Sequence, residues 1–157
     1  MRIVLGADHR GYELKDALAN YLSGLGHEVT DIGTHSDESV DYPDLALAAG
    51  RAIRDGSAER GILVCGSGVG ACVAANKLAG VRAAITHDVY SAHQGVEHDD
   101  MNVICLGSKV VDEGLAREIV NAFVGAQFIP EERYVRRLAK VKAMEQEGRV
   151  EHEQSPA

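Results

Sequence analysis

A cysteine closes one apolar run and opens a glycine loop. Gly61-Ile62-Leu63-Val64-Cys65 leads into Gly66-Ser67-Gly68-Val69-Gly70, and then into the helix-prone stretch Ala71-Cys72-Val73-Ala74-Ala75-Asn76-Lys77. A strand, a tight turn and a helix start make an anion cradle, because the first helical amides lack carbonyl partners and the helix dipole favours negative charge there. The same field favours the thiolate of a cysteine at the lip of the loop. The chemistry on offer is a base or nucleophile beside a site for an oxyanion or phosphate. The loop also matches G-x-G-x-x-A, with Asp88 downstream, a superficial dinucleotide fingerprint. That fingerprint normally follows the first strand of its fold, and this loop follows the third. Glycines in such a turn also answer a purely steric need. A cradle for a small anion is the preferred reading.

Four other groups of residues carry chemical potential. Asp8-His9 follows the first apolar run. The pair could orient a ring nitrogen or bind a sugar hydroxyl, or Asp8 could cap a helix with His9 in solvent. Glu97-His98-Asp99-Asp100 sets an imidazole among carboxylates, which suits a general acid near neutral pH and equally a solvated acidic turn; its spacing matches no common metal-ligand motif. Arg133 and Arg137 share one face of a helix. Two guanidinium forks suit a phosphate, and a solvated basic face is the alternative. Asp41-Tyr42-Pro43-Asp44 is either a simple proline-led helix start or a turn that presents Tyr42 to a pocket.

The elements that must position these groups alternate along the chain. Strand-like runs cover Ile3 to Ala7, Glu28 to Ile32, Gly61 to Val64, Val81 to Thr86 and Asn102 to Leu106. Helical periodicity covers Tyr12 to Leu25, Asp44 to Arg54, the stretch after the glycine loop, Ser91 to Glu97, Asp112 to Phe128 and Glu131 to Gln146. This alternation predicts an α/β fold of three layers, Rossmann-like, with a five-stranded parallel sheet in the order 2-1-3-4-5 and helices on both faces. Ligands of such sheets bind beyond the carboxyl ends of the strands. Those ends carry Asp8-His9, Gly33-Thr34, Cys65 to Gly70, His87-Asp88 and Gly107-Ser108-Lys109. The pattern predicts one domain, 1–146, and a polar tail, 147–157.

The 157 residues suit a single core, and 45% hydrophobic with 25% charged residues is ordinary for a water-soluble domain. A formal net charge of −8 argues against binding nucleic acid or an anionic membrane. No run has membrane-spanning length, and the start lacks the layout of a signal peptide. Three cysteines without disulfide or zinc spacing fit a reducing cytoplasm, with Cys72 and Cys105 as small core residues.

Gly6-Ala7-Asp8-His9-Arg10-Gly11, Asp41-Tyr42-Pro43, Cys65 to Gly70, Ala74-Ala75-Asn76-Lys77, His98 to Asn102 and the Arg133/Arg137 pair occur in an order that resembles the type B ribose-5-phosphate isomerases, a family that includes the galactose-6-phosphate isomerase subunits. The resemblance spans about residues 1–145. It implies a cytoplasmic aldose–ketose isomerase of the pentose phosphate pathway that uses no metal or other cofactor. It assigns Cys65 as the base that moves a proton through a cis-enediolate, and Ser67 with the amides of Gly66, Gly68, Val69 and Gly70 as stabilisers of that enediolate. His98 with Asp8 would open the sugar ring. His9, Arg133, Arg137 and Lys109 would hold the phosphate, and Tyr42 and Asp99 would line the site. The resemblance also implies a homodimer, in some members a tetramer, with the final helix completing a neighbour's site.

Three positions depart from that family's pattern. Asp99 stands where Asn is common, Lys109 where Arg is usual, and Tyr134-Val135 where His-Gln is frequent. They bear on the sugar's length and stereochemistry. Ribose 5-phosphate is the expected substrate, a tetrose, hexose or deoxy-sugar phosphate the alternative, and a non-catalytic nucleotide-binding module the third reading.

Overall fold

The computed structural model describes residues 1–154, with side chains through residue 147. Its elements are β1 (Arg2–Ala7), α1 (Tyr12–Gly24), β2 (Glu28–Asp31), α2 (Tyr42–Arg54), β3 (Arg60–Cys65), α3 (Val69–Ala75), β4 (Ala83–Ile85), α4 (Val89–Asp99), β5 (Val103–Gly107), α5 (Glu113–Gly125) and α6 (Glu132–Gln154). All strand pairs are parallel. Among the described residues, no helix is long and apolar enough to cross a membrane.

Side chains of a strand alternate between faces, and here they feed two cores. Ile3, Leu5, Ile62, Val64, Ile104 and Leu106 pack against α1, α4 and α5 through Leu18, Leu22, Val96, Ile119, Val120 and Phe123. Val4, Leu63, Cys65, Val103 and Cys105 face the other way, onto Ala46 and Ala49 of α2 and Ala71 and Ala75 of α3. The small residues of α2 and α3 let that layer lie close to the sheet. The three-layer α/β fold is the one the alternation predicts.

The strand order is β2-β1-β3-β5-β4, so the expected 2-1-3-4-5 is corrected at one edge. The reason lies in burial. β5 is buried along its whole length, whereas β4 is three residues long and partly exposed. A strand apolar on both faces belongs inside the sheet, and a short half-exposed one serves as the edge. Boundaries also shift. Asp88 and Asp112 cap α4 and α5, accepting the Ser91 amide at 2.7 Å and the Leu115 amide at 2.8 Å. α6 continues to Gln154, so most of the expected tail extends that helix, and 155–157 lie outside the described residues.

The register sets the functional edge. Ala7 pairs with Val64, and Cys65 with Gly107. Asp8, Gly66 and Ser108 therefore leave the sheet side by side. Backbone bonds extend the pairing past the strands: Asp8 N–H to Val64 O (3.2 Å), Ser108 N–H to Cys65 O (2.8 Å) and Lys109 N–H to Gly66 O (3.1 Å). Behind this edge Lys15 of α1 is fully buried, its ammonium 2.6–2.7 Å from both Asp31 oxygens. Asp31 in turn accepts the Gly33 amide at 2.9 Å, and Gly33 O receives Ala7 N–H at 2.7 Å. That chain of contacts fixes the loop after β2 against the end of β1.

Candidate active site

A cavity of about 430 Å³ opens at the carboxyl edge, lined by Asp8, Arg10, Tyr42, Cys65, Gly66, Ser67, Gly70, Lys109 and Val110. Cys65 ends β3 and is 5% exposed. Its sulfur accepts the Gly68 amide at 3.1 Å. Gly68 has φ +82, a left-handed turn that suits only glycine comfortably. The turn folds the loop back so that Val69, Gly70 and Ala71 head α3. Their amides precede the first intrahelical bond, Cys72 N–H to Gly68 O (3.1 Å). The Val69 amide is taken by Ser67 Oγ (3.3 Å), which orients that hydroxyl in the loop.

Close packing holds the walls. A Cβ on Gly107 would lie 2.8 Å from the carbonyl carbon and oxygen of Ser67, so the glycine loop rests on bare backbone of β5. A Cβ on Gly70 would meet the Tyr42 ring at 2.7 Å, so the phenol lies directly over the start of α3. Asp8 is nearly buried, and one oxygen accepts the Arg10 amide at 2.9 Å. Its other oxygen is uncommitted among the described residues. His9 sits beside this cavity rather than lining it, and its Nδ1 accepts the Val40 amide at 3.4 Å. His87 Nε2 accepts the Gly107 amide at 3.0 Å. Asp88, a possible nucleotide contact from sequence, has its carboxylate engaged in capping α4.

The remaining expected residues lie elsewhere in the chain. α4 starts at the carboxyl edge and carries the chain back, so His98 and Asp99 at its end stand beside the amino end of β5. At about 3.3 Å per residue, the length of β5 alone puts roughly 15 Å between the two edges. His98 stacks on Tyr134 with ring centroids 4.1 Å apart. Gln94 Nε2 contacts its Nδ1 at 2.7 Å. Arg133 lies over the Tyr134 ring, donates to its hydroxyl at 2.8 Å and pairs with Glu131 at 3.0 Å. Asp99 and Arg137 line a second cavity of about 490 Å³ with Arg82, Met101, Leu138, Val141 and Met144. One chain thus holds Cys65, Asp8, Ser67 and Lys109 around one cavity, and separately an imidazole–arginine cluster on Tyr134.

Sequence reading missed Arg10 and Val110 as cavity residues. Arg10 directly follows Asp8-His9 at a strand end, and that position was the available signal. It also placed Cys72 in the core. Cys105 is buried, but Cys72 is only half-buried. Interaction with the Cys105 thiol holds Cys72 down to about 7, and the same interaction together with burial pushes Cys105 up.

Residues 3–141 match the family described as Ribose/Galactose Isomerase. The chain is 43% identical over 145 residues to ribose-5-phosphate isomerase B of Escherichia coli, covering 92% of this chain and 97% of that one. It is 42% identical over 129 residues to D-erythrulose-4-phosphate isomerase of Pectobacterium atrosepticum, covering 82% and 85%. A solved structure of ribose-5-phosphate isomerase B from Clostridium thermocellum superposes with TM-score 0.91 at 43% identity, covering 94% of this chain and 99% of that one.

Proposed function

The chain belongs to the ribose/galactose isomerase family, and from that premise we propose that it interconverts ribose 5-phosphate and ribulose 5-phosphate. It is a sugar-phosphate isomerase, the activity its relatives are named for. The observation that carries the reading is Cys65, whose sulfur sits under a backbone amide in a cavity shared with Asp8, Tyr42, Ser67 and Lys109.

The chemistry follows from that arrangement. The Cys65 thiolate takes the proton from C2 of the open-chain aldose, and the electrons move onto the C1 carbonyl oxygen. A proton passes from O2 to O1 across the cis-enediolate, and the Cys65 thiol returns its proton to C1, leaving the ketone at C2. The oxyanions lie against the amides of the Gly66 to Gly70 loop and the Ser67 hydroxyl. One such donor is typically worth about 3–4 kcal/mol at the transition state. Ring opening needs an acid and a base, which are His98 and Asp8. His9, Arg133, Arg137 and Lys109 hold the phosphate, a remote handle whose binding energy aligns C1 and C2 with the sulfur. Because His98 and the arginines of α6 stand at the opposite edge of their own protomer, the working unit is a homodimer in which each copy completes the other's cavity.

A four-carbon sugar phosphate is the second reading, favoured by the similarity to an erythrulose-4-phosphate isomerase. A time course by NMR in D2O, with ribose 5-phosphate and erythrulose 4-phosphate in parallel, decides between them. Ribulose 5-phosphate formed faster, with solvent deuterium at the transferred position in the part of the product whose proton exchanges at the Cys65 thiol before return, is the expected result. Conversion of the tetrose alone would replace the substrate. Conversion of neither by folded protein would overturn the reading.

A further inference from the structure

We infer that Arg10 is a further substrate-binding residue that holds the phosphate of the substrate in the Cys65 cavity; the inference rests on the isomerase reading above. Arg10 and Lys109 are the two cations lining that cavity. The Arg10 side chain lies flat on the glycine loop, with Cδ 3.2 Å and Nη1 3.9 Å from the point where a Cβ on Gly66 would stand. Gly66 leaves the room the side chain occupies. The Arg10 backbone is held from both sides: its amide donates to Asp8 (2.9 Å) and its carbonyl accepts from the Ser108 hydroxyl (2.6 Å). The root of the side chain is therefore fixed relative to the ends of β1 and β5.

Charge supplies the second argument. Arg2, Arg82, Arg117, Arg133 and Arg136 each pair with a carboxylate. The Arg10 guanidinium, like those of Arg51, Arg54, Arg60 and Arg137, has no carboxylate within 4.0 Å among the described residues, and of these five Arg10 alone lines the Cys65 cavity, in a chain whose formal net charge is −8. An adjoining cavity shares Arg10 and Lys109 but is walled by Glu13, Asp112 and Glu113. Repulsion from those carboxylates disfavours an anion on that side, whereas the Cys65 side offers two cations and Asp8 as its single carboxylate. A guanidinium fork matches a phosphate's oxygens with two donors at once, and an ammonium does so only as a point charge. Arg10 thus supplies the directional grip and Lys109 the supporting charge.

The test compares wild type with Arg10→Ala and Arg10→Lys. Calorimetry reads the Kd for inorganic phosphate, and steady-state kinetics read KM and kcat for ribose 5-phosphate. Thermal melts check that each variant is folded. The expected result for Arg10→Ala is a rise of about tenfold or more in both the phosphate Kd and KM, the loss of one charge-assisted contact, with Arg10→Lys between it and wild type. A phosphate Kd and KM within about twofold of wild type would overturn the inference, as would a fall in kcat alone. If wild type turns over no sugar phosphate, the isomerase reading fails, and the phosphate titration still decides the role of Arg10.

Discussion

Cys65 is poised by three local facts: the end of a buried strand, a left-handed glycine three residues on, and the amide that this turn aims at its sulfur. If Cys65 is the base, removing its sulfur abolishes proton transfer and leaves the cavity walls in place. Cys65→Ala is therefore expected to lower kcat by about a thousandfold or more, the order of loss when a positioned proton-transfer group is deleted. Sugar-phosphate affinity by calorimetry should change only a few-fold; full turnover in that variant would remove Cys65 from the reaction. The other two cysteines behave differently. With its thiol held down to about 7, Cys72 is largely thiolate above that pH and thiol below it, while Cys105 stays protonated and buried. In the Cys65→Ala background, iodoacetamide should label Cys72 at a rate that climbs through about pH 7 and leave Cys105 unlabelled, read by mass spectrometry of the native protein. Equal labelling of both thiols would contradict this. Cys65 was legible because a reactive residue type met a punctuated turn. The Cys72–Cys105 contact was not, because it depends on which side chain a neighbouring element brings alongside, and for Arg10 the sequence offered only its place at a strand end.

At the scale of elements, the alternation of short apolar runs with 3.6-period stretches is enough to specify a parallel sheet covered on both faces, and the helices and strands lie close to where that pattern puts them. The order of the last two strands was not legible. Connection rules alone leave both orders open, and the choice falls to how much of each strand can be buried: β5 completely, β4 only in part. The exchange matters for the site, since it sets β5 directly beside β3 and brings Gly107 under Ser67. A methyl at Gly107 would meet Ser67 backbone at 2.8 Å, with no flexible side chain able to yield. Gly107→Ala is expected to lift the glycine loop, costing about 1–3 kcal/mol of stability in chemical denaturation and a larger share of kcat than of substrate affinity. Unchanged kcat in this variant would mean that the loop's height above β5 is unimportant.

At the scale of the whole molecule, one observation governs the rest: a crossover helix in a parallel sheet returns the chain to the amino edge, so a residue at its end stands opposite the cradle. His98 is such a residue, and the stacked Tyr134 keeps α6 with it. In the sequence, Glu97-His98-Asp99-Asp100 precedes the fifth strand and is absent from the carboxyl-end motifs; the fold sets it beside the amino end of β5. If each copy completes its partner's cavity, the two half sites can be inactivated on different chains. Cys65→Ala and His98→Ala homodimers should each be nearly inactive. Dissociated, mixed and reassembled at equal concentration, they should recover about a quarter of wild-type turnover, because half the dimers are hybrids and each hybrid has one intact site and one doubly damaged site, as two-fold symmetry requires. Tagging one variant and purifying the hybrid should raise this to about half. No recovery, with hybrids demonstrated by native mass spectrometry, would mean that Cys65 and His98 do not serve a common site across the two copies.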